Sequence, residues 1–231
     1  MADVCVITGG GSGMGLAAAK YMPKEKILVL AGRTEAKLQR AIEELKAEGH
    51  EAYAKACDTS KRESVRALAE YAASLGEVKN VINSAGLSPN MAEAETILRV
   101  NALGTVYMNE EFSKVMKAGS VIVDVASNSA YVLPGFLISK KVYALADQDE
   151  RLFLQKMLKK CRMAKEGYAR NGMAYAFSKN FVVWYAKKCA FAYGKKGIRV
   201  VSLSPADCIR HGNRGEGGGR FLIPLTAEER M

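Results

Sequence analysis

The stretch "VCVITGGGSGMG", Val4 to Gly15, decides how the rest of the chain is read. It opens with an apolar run, Val4 to Ile7, ending in Thr8, the pattern of a short strand buried on both faces. Five glycines then fall between Gly9 and Gly15, and Gly9, Gly13 and Gly15 keep the spacing TGxxxGxG. An amphipathic stretch, Met14 to Tyr21, begins inside the motif, so the order is strand, tight turn, helix. Glycines at such a turn let the backbone bend sharply and approach a phosphate group closely. The free N–H groups and positive dipole end of the helix then face that group. No Gly-Lys-Ser/Thr follows, which excludes a P-loop. A tight turn without a ligand is the other reading of a glycine cluster, and its position after a first strand weighs against it.

Outward from this turn, short apolar runs alternate with longer amphipathic ones. "ILVLAG" (27–32), "EAYAKACD" (51–58), "VINSAG" (81–86), "SVIVDVAS" (120–127) and "IRVVSLS" (198–204) read as strands. Helical patterns occupy 14–21, 35–48, 62–75, 93–116 and 174–193. Strands separated by helices imply βαβ units, right-handed crossovers and a parallel sheet covered on both faces. The expected fold class is α/β: a Rossmann-type, doubly wound parallel sheet in three αβα layers, one domain over residues 1–231. Two regions break the rhythm. Residues 134–172 form a charged, helical insertion, and the tail 206–231 is irregular, with Gly and Arg concentrated over 206–220.

The chain has 231 residues with a net charge of +10, 49% hydrophobic and 25% charged residues, enough for a sizeable core without staples. The basic excess is interleaved with acids and accompanied by no nucleic-acid recognition motif, so solvated helix faces account for it and no nucleic-acid partner is expected. Five scattered cysteines form no CxxC pair, so neither a zinc site nor a disulfide framework is expected. No basic leader and no apolar run of about 18 residues is written. A cytoplasmic protein without a membrane segment is the expectation. The only histidines, His50 and His211, offer little to a Ser-His-Asp hydrolase or a metal site, and His50, after the helix-ending Gly49, reads as surface.

The second strand ends "LAGRT". An NAD site usually carries Asp or Glu there, against the adenosine ribose hydroxyls. Here Gly32, Arg33 and Thr34 stand in that place, with a guanidinium able to pair with a 2′-phosphate. The reading is NADP(H) in preference to NAD(H), the other possibility being that Arg33 is a solvated loop residue.

Together these residues resemble the short-chain dehydrogenase/reductase family, and further motifs follow in the family's order from Val4 to Pro205. Asp58 is similar to the residue that contacts the adenine ring. "NSAG", Asn83 to Gly86, resembles the signature after the fourth strand. "RVNALGT" puts Asn101 at the catalytic asparagine, "VIVDVASNSA" puts Ser127 at the catalytic serine, and "YAFSK" supplies Tyr175 and Lys179 as the YxxxK pair. The resemblance implies a cofactor cleft formed by Thr8, Gly9, Gly11, Ser12, Gly13, Met14, Gly15, Arg33, Asp58, Asn83, Ala85, Gly86, Tyr175, Lys179 and Pro205. An i, i+4 pair shares a helix face, so the Lys179 ammonium would stand beside the Tyr175 phenol. A nearby cation favours phenolate, which makes tyrosine a usable general acid or base. In this scheme Ser127 holds the carbonyl or hydroxyl of a small-molecule substrate, Lys179 also holds the nicotinamide ribose, and Asn101 positions a water. Ser129 is the alternative to Ser127, Asn101 could instead be a helix-bending amide, and Tyr175 a core residue.

The chain departs from the family pattern in two places. Its insertion resembles that of carbonyl reductase and hydroxysteroid dehydrogenase members. The apolar positions Leu152, Phe153, Leu154, Met157 and Leu158 suggest one buried face, as a lid over the substrate cleft or as an interface. After Pro205 the sequence runs Ala206-Asp207-Cys208 with no threonine until Thr226, and the family's closing helix and seventh strand are missing. A truncated or altered C-terminus is the expectation, which would expose the sixth strand as an edge. The expected function is therefore an NADP(H)-dependent dehydrogenase or reductase acting on a carbonyl/alcohol pair, as a homodimer or homotetramer. The alternative is a paralogue or sensor that binds the dinucleotide without turnover.

Overall fold

The computed structural model describes residues 2–206. Six strands form one parallel sheet in the order β3-β2-β1-β4-β5-β6. They are β1 (Asp3–Thr8), β2 (Ile27–Gly32), β3 (Glu51–Ala56), β4 (Glu77–Asn83), β5 (Val121–Val125) and β6 (Arg199–Leu203). Thr8 lies opposite Ala31 on one side and Asn83 on the other. Strand order reverses at β1, so the carboxyl ends of β1 and β4 flank the crevice where ligands of open α/β sheets bind.

Side chains alternate across the sheet with period two. Cys5, Ile7, Leu28 and Leu30 meet α1 (Gly13–Lys20) and α2 (Glu35–Ala47), whose Leu38, Ala41, Ile42 and Leu45 recur at helical spacing. Val4, Val6, Val29, Val81 and Ile122 face the other way, toward α3 (Arg62–Leu75), α4 (Ala94–Leu98), α5 (Gly104–Val115) and α8 (Tyr168–Gly194). The three-layer expectation holds.

The helix expected over 93–116 is interrupted. A π-helical turn, Arg99–Leu103, joins α4 to α5 and carries Asn101. The cause is polar: the Asn101 amide bonds to the Leu87 backbone, and Thr105 Oγ1 donates to the Asn101 carbonyl at 2.8 Å.

The segment 134–172 contains α6 (Lys140–Tyr143) and α7 (Glu150–Cys161), and its last residues belong to α8, which begins six residues before the expected Ala174. Asp149 caps α7 by accepting from the Leu152 N–H at 2.9 Å. Phe153, Leu154 and Met157 are buried, with Leu152 and Leu158 half-buried, so the expected apolar face exists. This chain's own helices contribute to filling it: the Phe153 and Phe181 rings lie 5.1 Å apart, and Tyr143 meets Phe181 edge-on at 5.3 Å. Glu150 accepts from Arg62 at 3.0 Å and from the Tyr107 hydroxyl, fastening α7 to α3 and α5.

One sequence reading is corrected. His50 is buried, 4% exposed, and neither ring nitrogen has a hydrogen-bond partner among the described residues. Its backbone N–H bonds to the Leu45 carbonyl, which turns the chain back under α2 and carries the ring inward. Cys5, Cys57, Cys161 and Cys189 are buried free thiols, and burial pushes Cys5 up to about 12. Among the described residues β6 pairs only with β5, no His/Cys/Asp/Glu group could hold a metal, and no helix is long and apolar enough to cross a membrane. The expectations placed on Cys208, His211, Thr226, the rest of the irregular tail and the absent seventh strand lie outside the described residues.

Candidate functional site

The glycine turn stands at the mouth of the crevice. Gly9 and Gly13 adopt φ of +66° and +59°, values that favour glycine. Gly15 is required for a different reason: a Cβ there would stand 2.5 Å from the Gly9 carbonyl oxygen and 2.8 Å from Ser84 Oγ. The close approach of Gly9 to Gly15 keeps α1 tight under the turn. At Gly13 a side chain would meet nothing within 4 Å, so it is the backbone conformation and not space that calls for glycine there.

An open cleft of about 190 Å³ runs from this turn along the carboxyl ends of the strands. Seven expected cofactor contacts line it: Gly9, Gly11, Ser12, Arg33, Asp58, Ala85 and Gly86. Thr8 and Asn83 do not; they lie buried beneath it. Thr8 Oγ1 donates to Asn83 Oδ1 at 3.0 Å and accepts from the Ala85 N–H at 3.1 Å, which fixes the 84–86 loop beside the glycines. Asp58 is the one carboxylate in the lining, and its Oδ1 already accepts from the Ser60 N–H and hydroxyl at 3.1 and 2.7 Å. Lys37, which sequence reasoning missed, lines the cleft beside Arg33 and Thr34. Its position one turn past Arg33 was the available signal. Met14, at the start of α1, is 47% exposed and lies outside the lining, as do Gly13, Gly15 and Pro205. Pro205 instead accepts from the Asn128 N–H at 3.0 Å, tying the exit of β6 to the turn after β5.

Two of the expected catalytic residues, Asn101 and Lys179, meet at Gly86. A side chain at Gly86 would meet Asn101 Oδ1 at 3.3 Å and Lys179 Nζ at 3.5 Å, so both groups reach one point of the wall. Lys179 Nζ also donates to the Val125 carbonyl at 2.7 Å and lies 5.8 Å from the centre of the Tyr175 ring. Burial pushes the Lys179 ammonium down to about 8, against an opposing attraction from Asp124. Asp124 is itself buried and pushed up to about 6 by desolvation, while Asn109 and Asn83 donate to its carboxylate. Asn101 holds the Leu87 backbone at both ends of its amide, at 2.8 and 3.0 Å, and its Nδ2 also donates to Ser178 Oγ. Asn101 is thus both the amide that bends the helix and a group beside Lys179.

Ser127 begins a 3₁₀ turn over Asn128–Tyr131; its Oγ accepts from the Ser129 N–H and donates to Asn128 Oδ1, both at 3.2 Å. The Ser129 hydroxyl is buried without a partner among the described residues. Ser127 stands two residues beyond the carbonyl that holds Lys179.

A sequence model described as short chain dehydrogenase matches residues 3–140. The chain belongs to this family. Its members are oxidoreductases that bind NAD(P) and move hydride between the nicotinamide and an alcohol or carbonyl group of a small molecule. The short-chain dehydrogenase/reductase bsc3 of Alternaria brassicicola is 30% identical over 205 residues, covering 89% of this chain and 73% of that one. Among solved structures, an NAD+-bound xylitol dehydrogenase superimposes with a TM-score of 0.66 at 20% identity, covering 89% of this chain and 70% of that one. A short chain dehydrogenase from Burkholderia cenocepacia in complex with NADP gives 0.65 at 20%, covering 87% and 72%. At that identity the likeness is one of fold.

Proposed function

We propose that this family member prefers NADP(H) and exchanges hydride with a carbonyl/alcohol substrate, with Tyr175 transferring the proton. The observation that carries the cofactor preference is the pairing of Arg33 with Lys37 in the wall of the same cleft as Gly9, Gly11 and Ser12. Two cations, one just past the end of β2 and one in the first turn of α2, with no carboxylate from that strand, suit a 2′-phosphate. When bound, the nicotinamide supplies or accepts the hydride.

The chain's own residues do the rest. Backbone N–H groups of the glycine turn and the start of α1 hold the pyrophosphate. Tyr175 gives its phenolic proton to the carbonyl oxygen in reduction and takes it back in oxidation. Lys179, whose ammonium is beside the ring and whose charge is held by the Val125 carbonyl and Asp124, favours the phenolate that each cycle leaves. Ser127 hydrogen-bonds the substrate oxygen, and Asn101 orients a water between Lys179 and solvent. The helices of 134–172 pack on the face of α8 that carries Phe181 and Trp184.

The test is a fluorescence titration with NADPH and NADH on the wild type, Arg33→Ala and Arg33→Ala/Lys37→Ala. Each lost charge-assisted contact should weaken NADPH by about tenfold, roughly 1.4 kcal/mol, and leave NADH unchanged. Equal affinity of the wild type for both cofactors would overturn the preference. Tyr175→Phe should keep NADPH binding and lose turnover; binding without turnover in the wild type would mark a dinucleotide sensor.

A further inference from the structure

We infer that Asn180 is a positioning residue: its amide, aimed by Tyr143 of the 134–172 segment, holds the turn that presents Ser127, an inference that rests on the proposed role of Ser127. Asn180 follows Lys179 on α8 and is half-buried. Its Nδ2 donates to the Ala130 carbonyl at 2.7 Å, and its Oδ1 accepts from the Tyr143 hydroxyl at 2.9 Å. The Ala130 carbonyl can only accept, which fixes the end of the amide that faces it. The Tyr143 hydroxyl then meets an oxygen and must donate. Tyr143 is 1% exposed, and burial pushes its hydroxyl up, so the proton that Oδ1 needs stays in place.

What the amide holds is the exit of β5. Ala130 is the third residue after Ser127, and its N–H closes the turn on the Ser127 carbonyl at 3.0 Å. The Ser127 hydroxyl is bonded within the same turn. Two consecutive side chains of α8 therefore grip this segment on both sides of Ser127, Lys179 at the Val125 carbonyl and Asn180 at the Ala130 carbonyl, at 2.7 Å each. Tyr175 stands on the same helix, one turn before Lys179. Lys179 alone would fix the entry to the turn. Asn180 fixes its far side, so the place of Ser127 relative to Tyr175 is set by one rigid helix. A reacting group misplaced by about 1 Å can lose roughly a hundredfold in rate. The bond from Tyr143 adds the 134–172 segment to this frame. Its ring packs edge-on against Phe181 at 5.3 Å, which holds the hydroxyl in line with Asn180.

The variants that test it are Asn180→Leu, which removes both hydrogen-bonding ends, and Tyr143→Phe, which keeps the ring and its packing should the first fold poorly. Backbone hydrogen exchange over 126–132 should quicken roughly fivefold in Asn180→Leu and in the same direction in Tyr143→Phe, with 9–15 unchanged. Hydride transfer is read as single turnovers of bound NADPH with cyclohexanone, 2-butanone and acetophenone, which keeps slow variants measurable. Both variants should lower its rate, Asn180→Leu by about tenfold, and leave NADPH affinity as it is. In a Ser127→Ala background the same substitutions should slow it no further, because they act through that hydroxyl. A merely structural role would multiply with the Ser127→Ala loss instead. Multiplying losses, an unchanged rate, or unchanged exchange over 126–132 in both variants overturns the positioning role alone. Ser127→Ala with full turnover, or a wild type that binds NADPH and reduces none of the three ketones, overturns the reductase reading's use of Ser127 and this inference with it.

Discussion

Replacing Lys179 with methionine should stabilise the cofactor-free protein at acidic to neutral pH while removing its activity, because the same burial that readies the ammonium for chemistry also costs folding energy. Lys179 titrates near 8 in the folded chain against 10.5 when solvated, with desolvation the dominant cause. That gap corresponds to roughly 3 kcal/mol of penalty on the charged form. It is present in full below pH 8. Between pH 8 and 10.5 the unfolded chain holds more protons than the folded one, so rising pH stabilises the wild type. Methionine fills similar space without charge, but leaves the Val125 carbonyl without the donor now at 2.7 Å, at a cost of about 1 to 3 kcal/mol. The net gain at pH 7 is therefore no more than about 2 kcal/mol.

The pH dependence separates these contributions, since the lost hydrogen bond does not titrate. Urea denaturation of wild type and Lys179→Met at pH 7, 8.5 and 10 gives the difference in unfolding free energy directly. Groups remote from Lys179 cancel in that difference; Asp124, which loses the attraction of the ammonium, adds to the change in the same direction. The wild type should gain roughly 2 kcal/mol on the variant by pH 10. A flat difference across the range would show that Lys179 is not desolvated and would refute the account of its role.

Two further changes probe the frame of the site. Gly15→Ala places a methyl group 2.5 Å from the Gly9 carbonyl oxygen, so the turn must open; a loss of about 1–3 kcal/mol in stability and at least tenfold weaker NADPH binding should follow, read by urea midpoint and titration. Full retention of both would contradict the tight packing of α1 under the turn. His50→Leu removes two buried ring nitrogens that have no partners and should raise the melting temperature by a few degrees, with about 1 kcal/mol gained; a lower melting temperature would mean that the ring makes a bond the structure does not contain.

The sheet was legible because its signals are local. Val4 to Thr8 is buried on both faces and reads so, and the glycines of 9–15 are set by backbone geometry within eight residues. The Tyr175–Lys179 pair was equally plain, since one helix turn fixes their relation. What escaped depends on partners distant in sequence. The π turn at Asn101 arises from the Leu87 backbone, fourteen residues away. The burial of His50 depends on how β3 returns under α2, which a glycine before it does not specify. Lys37 looked like any exposed helix lysine; its meaning comes from Gly11, where an added Cβ would stand 3.2 Å from the Lys37 Cβ.

Beneath the cleft, one buried chain of polar groups joins the strand that leads into the glycine turn to the elements that carry Asn101 and Asp124. Thr8 donates to Asn83 Oδ1, and Asn83 Nδ2 donates to Thr105 Oγ1 at 3.3 Å and Asp124 at 3.2 Å. Thr105 then bonds the Asn101 carbonyl inside the π turn, and Asn109 bridges Thr105 and Asp124. Asn83 is the junction, and only an amide serves there. An aspartate would lose both donors and add a second carboxylate beside Asp124, and a leucine would take a partner from groups on two strands and a helix. Buried networks of this kind are costly when half-satisfied and rigid when complete. Here Asn83 is fully used while Asn109 Oδ1 has no partner among the described residues, and the wiring through Asn83 has a direction. The acceptor side of Asn83 is used by the strand that carries the glycine turn, and its donor side by the elements that carry Asn101 and support Lys179. The Asp124 carboxylate, and the ammonium it attracts, therefore share one buried frame with the strand that leads into the glycine turn.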